Sequence, residues 1–313
     1  MSGLAHNGEF YSLLCALIWA CAVIMFTRIG ERVPPVVLNL FKGSVALLFL
    51  LPTMLVLGTP FFPSRLTWLD WSQLIISGII GISIADSLFF ASLNRLGAGR
   101  SAIVDCLYSP LVVLCAWIVL SEPVGLKLLG AVALMVSAIF VGTWSPEEDA
   151  QTDRRELRLG IGLGATAMLL MAIGIVIAKP VLNRSDLWWA TTVRVFGATI
   201  FLAVQSMLPR WRAVTIRTFT PNRDWKLLIP AGFVGTYLAM VTWLAGMKYT
   251  HASVSSVLNQ TSTLLIPLLA AIFLKERLTW RKGIAVFMGF LGAALLSVNL
   301  AKVWAWLTAL FAP

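Results

Sequence analysis

Four charged side chains lie within stretches of sequence that are otherwise apolar. Asp86 and Asp105 stand among aliphatic and aromatic residues, and Lys42 and Arg194 interrupt two further apolar runs. A carboxylate at bilayer depth costs several kcal/mol, with roughly 2.5–3.5 kcal/mol as the low figure. Each charge could form a structural ion pair, contact a bound molecule or carry a proton. Lys42 can neutralise either Asp86 or Asp105 but not both, so we expect a water-filled cavity around the remaining charges.

Uncharged polar residues accompany these charges at helical spacing. One helix face carries Ser101, Asp105, Tyr108 and Ser109. A shift of 154 residues turns this face into Ser255, Asn259, Ser262 and Thr263, with Gln260 beside it. Polar stripes on membrane helices face the bundle or water rather than lipid. The alternative is that individual hydroxyl groups only form hydrogen bonds between neighbouring helices and have no role in binding a solute.

Composition places these residues in a membrane protein. Of 313 residues, 59% are hydrophobic and 12% are charged, with a mean hydropathy of +0.87. A soluble chain would carry about a quarter charged residues. Continuous apolar runs favour transmembrane helices over the short alternating strands of a β-barrel. The net charge of +10 resides mostly in short loops, where membrane proteins carry their bases, so we expect no nucleic-acid partner.

Ten apolar spans are predicted. They lie at 10–28, 36–58, 73–93, 101–120, 125–144, 159–180, 187–208, 226–247, 252–274 and 283–300. The polar stretch "SPEEDAQTDRREL" separates five spans from five. The predicted organisation is a first five-helix repeat at 1–144, a polar linker at 145–158, a second repeat at 159–300 and a short apolar interfacial tail at 301–313.

Internal repetition supports this division. Glu122 falls on Glu276 under the 154-residue shift, and each glutamate ends one span just before the next. We interpret both as anchors at helix ends rather than as transport residues. Because five is odd, the two repeats must enter the membrane in opposite senses. The predicted fold is therefore an all-α integral membrane protein of ten helices in two inverted repeats, an arrangement typical of secondary transporters that bind substrate between the repeats.

The cavity between the repeats is the predicted binding site. We expect Arg194 or Lys42 to hold an anionic group, and Asp86 or Asp105 to hold a cationic group or the coupling proton. The other predicted cavity residues are Trp19, Asn39, Phe90, Tyr108, Trp243, Asn259, Gln260 and Thr263. The predicted partners are a small polar metabolite, charged or zwitterionic, and the lipid bilayer. The alternatives are a multidrug or lipid-intermediate carrier, and a membrane scaffold or sensor without flux.

Catalytic and metal motifs are absent from the sequence. It contains no HExxH, GxSxG or P-loop pattern, and its two histidines, His6 and His251, lie outside the predicted spans. We therefore expect neither an enzyme nor a cofactor or metal site.

Several segments resemble the drug/metabolite transporter superfamily in its EamA-type branch. The halves close with "LSEPVGLKLLGAVALMVSAIFVG" and "LKERLTWRKGIAVFMGFLGAALLS", and "ALIWACAVIMFTR" is similar to the family's first span, with Trp19 as its central tryptophan. Arg194 in "TTVRVFG" resembles the family's basic residue in the second span of a unit, whereas "LNLFKG" offers Lys42 out of register. The resemblance covers Tyr11 to about Asn299. It implies secondary transport, often export, of small metabolites such as amino acids.

The bases are distributed unequally between the two sides that alternating spans define. One side carries sixteen: Arg28, Arg32, Arg95, Arg100, Arg154, Arg155, Arg158, Arg210, Arg212, Arg217, Arg223, Lys226, Lys275, Arg277, Arg281 and Lys282. The other side carries six: Arg65, Lys127, Lys179, Arg184, Lys248 and Lys302. Basic loops remain cytoplasmic, so the count predicts that both termini lie outside, although the family resemblance implies termini inside. We expect a multi-pass protein of the bacterial cytoplasmic (inner) membrane, either a monomer or a homodimer.

Overall fold

The computed structural model describes residues 8–121, 153–276 and 279–297, with single residues and short pieces between 126 and 141. These residues are largely helical, and no strand occurs among them. The first half contains α1 (Gly8–Gly30), α2 (Pro35–Val56), α3 (Trp68–Gly78), α4 (Ala85–Asp105) and α5 (Tyr108–Leu120). The second half contains α6 (Arg154–Arg184), α7 (Leu187–Ser206), α8 (Pro209–Phe219), α9 (Trp225–Gly232), α10 (Ala239–Tyr249), α11 (Ala252–Asn259), α12 (Ser262–Leu269) and α13 (Trp280–Ser297).

Six helical stretches of the described chain are long and apolar enough to cross a membrane. They are Gly8–Gly30, Pro35–Val56, Trp68–Asp105, Arg154–Arg184, Leu187–Ser206 and Trp225–Tyr249. Each overlaps a predicted span. The predicted span at 125–144, the tail at 301–313 and Glu122 lie largely or wholly outside the described residues.

Two predicted spans are not continuous helices. The span at 101–120 is divided where α4 ends at Asp105 and α5 begins at Tyr108. Pro110 is the third residue of α5, a position where a missing N–H leaves no helical hydrogen bond unmade, so the chain can restart a helix there at little cost. The span at 252–274 is divided in the same way between Asn259 and Ser262.

Local irregularities of the backbone recur 154 residues apart. The π-helical turn Ile79–Ile84 joins α3 to α4, and the π-helical turn Phe233–Leu238 joins α9 to α10. Left-handed Ser121 (φ 55°) follows the end of α5, and left-handed Lys275 (φ 58°) follows the π-helical turn Ala270–Leu274 that continues α12. The positions of these backbone features, and not only of polar residues in the sequence, therefore follow the same offset.

The first helix of each half packs against the other half. Helix α1 lies against α10, α11 and α12, whereas α6 lies against α3, α4 and α5. Helices α2 and α7 pack against each other. The two halves are thus joined by an exchange of their first helices around a central α2–α7 contact.

The start of α1 and the end of α6 meet at one end of the bundle. Lys179 Nζ, near the end of α6, donates to the carbonyl oxygen of Thr250 at 2.9 Å. Thr250 Oγ1 in turn lies 3.4 Å from Glu9 Oε1 in the first turn of α1.

At the opposite end of the bundle, the end of α1 and the start of α6 meet the same part of α4. Asn94 Nδ2 donates to the Gly30 carbonyl at 3.0 Å, and Arg95 Nε lies 3.0 Å from Glu156 Oε2. Helices α1 and α6 therefore run in opposite directions. Helix α6 begins inside the predicted linker because Asp153 caps it, accepting the N–H of Arg155 at 2.9 Å.

Glu276 links the two halves at this second end. Gly97 interrupts α4 with φ 75°, a conformation that favours glycine, and leaves the next N–H groups without helical acceptors. The Glu276 carboxylate accepts them, from Ala98 at 2.8 Å and Gly99 at 2.9 Å. The prediction that Glu276 anchors a helix end is confirmed.

Candidate functional site

A cavity of about 100 Å³ lies inside the bundle, between α1, α2, α4, α6, α10 and the α11–α12 turn. Eight predicted site residues line it: Trp19, Lys42, Asp86, Asp105, Tyr108, Trp243, Asn259 and Gln260. These residues come from both halves of the chain. Both predicted carboxylates and Asn259 therefore line one shared space.

Ten further residues line the cavity that the sequence analysis did not select. They are Cys15, Gly81, Ile82, Phe89, Met168, Met171, Gly235, Ala239, Met240 and Ser262. The sequence offers a reason to select three of them, because Gly81 and Gly235 coincide under the 154-residue shift and Ser262 lies on the second polar stripe. It offers no reason to select the thioether and larger aliphatic side chains, since apolar residues are common throughout the spans.

Three predicted residues do not line the cavity and instead stabilise its surroundings. Asn39 Nδ2 donates to the carbonyl of Ile82 at 2.8 Å and so fixes the π-helical turn. Thr263 Oγ1 donates to the Gln260 carbonyl at 2.7 Å, within the turn between α11 and α12. Phe90 is fully buried behind the cavity wall.

The two broken spans meet at this turn. Gln260 Nε2 donates to the Asp105 carbonyl oxygen at 2.8 Å, so the turn that follows α11 supplies a donor to the end of α4. A carbonyl at the end of a helix has no intrahelical partner and needs such a donor when buried. Gln260 thereby holds the Asp105 backbone in place without engaging its carboxyl group.

Lys42 and Asp86 form a buried ion pair. Lys42 Nζ lies 2.5 Å from Asp86 Oδ2, and the two side chains are 2% and 8% exposed. The ammonium also lies 5.5 Å from the ring centre of Phe90. Of the two partners that the sequence allowed for Lys42, the structure selects Asp86.

Asp105 has no such partner. It is buried and lines the cavity, yet no ion pair involves it within the described part of the chain. Nearby, Tyr108 Oη and Asn259 Oδ1 are buried without a hydrogen-bond partner among the described residues. Buried polar atoms are normally satisfied, so this side of the cavity has polar groups available for water or a ligand.

Arg194 lies directly behind the cavity wall. Its guanidinium group is 5.4 Å from the ring centre of Trp243, and a Cβ on Gly81 would be 3.4 Å from Nη2. The residue is 1% exposed, and its Nε and Nη1 have no hydrogen-bond partner in the described structure. Two guanidinium nitrogens are therefore free to donate next to a cavity.

A larger space of about 930 Å³ opens at the end of the bundle where α1 ends. Six charged residues line it: Arg28, Glu31, Arg32, Asp224, Lys275 and Glu276. We call this space the vestibule. It lies on the side to which the sequence analysis assigned most of the bases.

Aromatic rings lie between the vestibule and the cavity. Phe26 and Phe90 are both fully buried and meet edge to face, with ring centres 5.0 Å apart. Phe26 also lies near Trp19 (6.3 Å), which together with Phe89 (5.7 Å from Trp19) belongs to the cavity wall. Along α1 and α4, Phe26 and Phe90 thus lie between the residues that line the cavity and those that line the vestibule.

The cavity brings together groups that can bind a polar solute. Among the described residues, no group of three or more His, Cys, Asp or Glu side chains is placed to hold a metal ion. What the site offers is charge of both signs around a small volume. In the part of the chain that the structure describes, the Asp105 carboxyl group has no cation partner, and two nitrogens of the Arg194 guanidinium group have no hydrogen-bond partner.

Three comparisons with known proteins agree with this structure. The EamA-like transporter family matches the chain twice, at residues 6–144 and 158–298. An uncharacterized transporter of Synechocystis sp. is 25% identical over 222 residues, which are 67% of this chain and 59% of that protein's length. A crystal structure matches 95% of this chain and 99% of its own, with a TM-score of 0.70 and 18% identity, and shows the same fold. This chain is a member of the EamA-like transporter family, and so a multi-pass integral membrane protein whose family transports solutes.

Proposed function

We propose that the protein is a secondary active transporter that exports a small zwitterionic or charged metabolite, such as an amino acid, through the central cavity. Family membership supports transport in general. The substrate class, the direction and the coupling are inferred from the geometry of this chain.

The proposed architecture is two inverted five-helix units. Three observations support it: backbone irregularities recur 154 residues apart, the first helices are exchanged between halves, and α1 and α6 run in opposite directions. A cavity at the interface of two such units is where alternating access exposes a bound solute to each side in turn.

One observation carries the substrate class. Arg194 is buried with two unpartnered nitrogens beside the cavity, and Asp105 is a buried carboxyl without a cation partner in the described chain. Leaving a buried donor unsatisfied costs about 1–3 kcal/mol, more for a charged group. A solute with a carboxylate and an ammonium would satisfy both residues at once, and the planar guanidinium suits a carboxylate in particular.

Asp105 is also the better candidate for the coupling proton. The Asp86 carboxylate is already neutralised by Lys42, so protonating it would leave a buried ammonium unpaired. Protonating a carboxyl group that has no cation partner leaves no ammonium unpaired. Burial in an apolar wall also disfavours the charged form of such a group. Asp105 can therefore alternate between a protonated state and one that binds the substrate ammonium.

The vestibule supports export. It is larger than the cavity, and it lies among the loops that carry most of the bases. Basic loops are retained in the cytoplasm, so the vestibule would face the compartment in which metabolites are made. The location we propose, the cytoplasmic membrane of a bacterium, follows from the same argument.

The cavity volume argues against a multidrug or lipid-intermediate carrier. Sites for drug-sized ligands enclose about 300–1,000 Å³, whereas this cavity encloses about 100 Å³. A scaffold or sensor would need polar contacts between helices but no unpaired charges around a cavity.

The experiment is a metabolite screen on proteoliposomes. Vesicles with and without the protein are loaded with a metabolite mixture, and efflux is measured with an imposed pH gradient of either sign and with none. The proposal predicts gradient-dependent loss of one or more zwitterionic or charged solutes from the protein-containing vesicles alone. Loss of hydrophobic cations or lipid precursors only would contradict it.

A further inference from the structure

Helix α8 and the residues that follow it carry a cluster of basic side chains whose charge is not balanced by nearby acidic side chains. Between residues 210 and 226 the chain has five exposed cations: Arg210, Arg212, Arg217, Arg223 and Lys226. Asp224 is the sole acid in this stretch, and it pairs with Arg32 at 3.1 Å. Within the described chain, no ion pair involves the five cations. We call these five residues the α8 basic cluster.

Exposed apolar side chains border the cluster. Met207, Leu208 and Ile216 are 75%, 46% and 60% exposed. Met207 and Leu208 follow directly on α7, one of the stretches able to span a membrane, and Ile216 lies on α8, which begins at Pro209. This part of the chain therefore lies where it leaves the hydrocarbon. Bases beside exposed apolar residues on a short helix are typical of helices that lie in the plane of the membrane surface.

The helix is docked firmly on the bundle. Trp211 packs against Val36 and Leu40 of α2 on its inner face. Phe219 packs against Phe41 with ring centres 5.0 Å apart. At the end of the helix, Asn222 Nδ2 donates a hydrogen bond to the Arg217 carbonyl oxygen at 3.1 Å. The bases are therefore presented by a rigid element.

We propose that the α8 basic cluster binds the phosphate headgroups of anionic phospholipids. The guanidinium group forms strong charge-assisted hydrogen bonds to phosphate, and juxtamembrane bases are attracted to anionic lipid. The exposed Met207, Leu208 and Ile216 place this charge at the bilayer rather than in open solvent, which favours a lipid over a soluble polyanion. The inference is independent of what the central cavity transports.

The test compares phosphatidylglycerol with phosphatidylcholine. Full-length protein in detergent is titrated with each lipid, and retained lipid is counted by native mass spectrometry. A variant with Arg210→Gln, Arg212→Gln and Arg217→Gln is expected to bind phosphatidylglycerol more weakly by about fivefold for each base removed. The matched control, Arg154→Gln, Arg155→Gln and Arg158→Gln, removes three exposed arginines at the same end of the bundle, where Asp153 and Glu156 supply compensating charge.

The outcomes separate the possibilities. Selective binding of phosphatidylglycerol by the parent and the control, lost in the α8 variant with an unchanged melting temperature, supports the proposal. A further variant that replaces the same three arginines by lysine should retain most of the binding. Equal binding of both lipids by the parent, equal loss in both glutamine variants, or tighter binding of heparin than of phosphatidylglycerol would overturn it.

Discussion

Lys42 and Asp86 form an ion pair of 2.5 Å beside a cavity in which a second carboxyl group, that of Asp105, has no cation partner in the described chain. Two carboxylates that look alike in the sequence therefore have different environments. This difference assigns a structural role to one and leaves the other available for substrate or proton.

The Lys42–Asp86 pair is expected to behave as a structural unit. Lys42→Met leaves a buried carboxylate uncompensated, which destabilises proteins by about 3–5 kcal/mol. Replacing both residues, with Lys42→Met and Asp86→Leu, removes both charges and should recover most of the lost stability. The measurement is the melting temperature in detergent. A double variant that melts no higher than the single one would show that pairing is not what the two residues contribute.

Asp105→Asn should separate coupling from translocation. The amide keeps the shape of the carboxyl group but cannot take up a proton, so accumulation driven by a pH gradient should be lost. Exchange of substrate across the vesicle should persist with weaker substrate binding, because the amide oxygen still accepts a hydrogen bond from the substrate ammonium but carries no charge. The measurement compares the two modes in one proteoliposome preparation. If Asp105→Asn and Asp86→Asn both still concentrate substrate with the parent's pH dependence, neither carboxyl group couples transport to protons.

Phe26→Ala should open a path between the vestibule and the cavity, because the Phe26–Phe90 contact lies between the residues that line them. Cys15 lines the cavity and serves as a native reporter once the other three cysteines are replaced by serine. We expect a membrane-impermeant maleimide to label Cys15 several-fold faster in this variant. Phe49→Ala, which removes a ring from a contact with Phe233 outside the cavity, is the matched control. Equal labelling rates in the parent and both variants would place the barrier elsewhere.

The orientation follows from the unequal distribution of bases. Contacts in the structure group Arg28, Arg32 and Arg95 at the vestibule end and Lys179 and Arg184 at the other, in agreement with the two predicted sides. A fluorescent protein fused after Pro313 that matures only in the cytoplasm should therefore be dark. Bright fluorescence from correctly inserted protein would show that the charge argument fails and that the vestibule faces outward.

The sequence was most informative where a single residue type is costly in hydrocarbon. Asp86 and Asp105 could be predicted to face a cavity because a carboxylate is expensive elsewhere. Glu276 could be predicted as a helix anchor from its recurrence at the end of a span. In both cases one physical constraint was sufficient.

Other features depended on the assembled bundle. Phe90 was predicted in the cavity wall, but it lies beneath the Lys42 ammonium, and Phe89 lines the cavity instead. Neighbouring residues of a helix point in different directions, so which ring faces the cavity depends on how α4 is rotated in the bundle. Pro110 and Pro267 predict that the spans at 101–120 and 252–274 are kinked or loosened. The positions of the breaks, at Cys106 and at Gln260, could not be predicted, because the contact from the Gln260 side chain to the Asp105 carbonyl joins residues far apart in the chain.

The most direct test of the central claim is efflux of zwitterionic solutes from proteoliposomes containing Arg194→Gln. The parent protein should release at least one such solute, and Arg194→Gln should abolish its release because the carboxylate loses its guanidinium partner. Arg194→Lys should retain a fraction of the efflux, since lysine keeps the positive charge but lacks the planar guanidinium group. The control is Arg65→Gln, which replaces an exposed arginine of the loop before α3 and should transport as the parent does. Unchanged release by a folded Arg194→Gln protein would contradict the account.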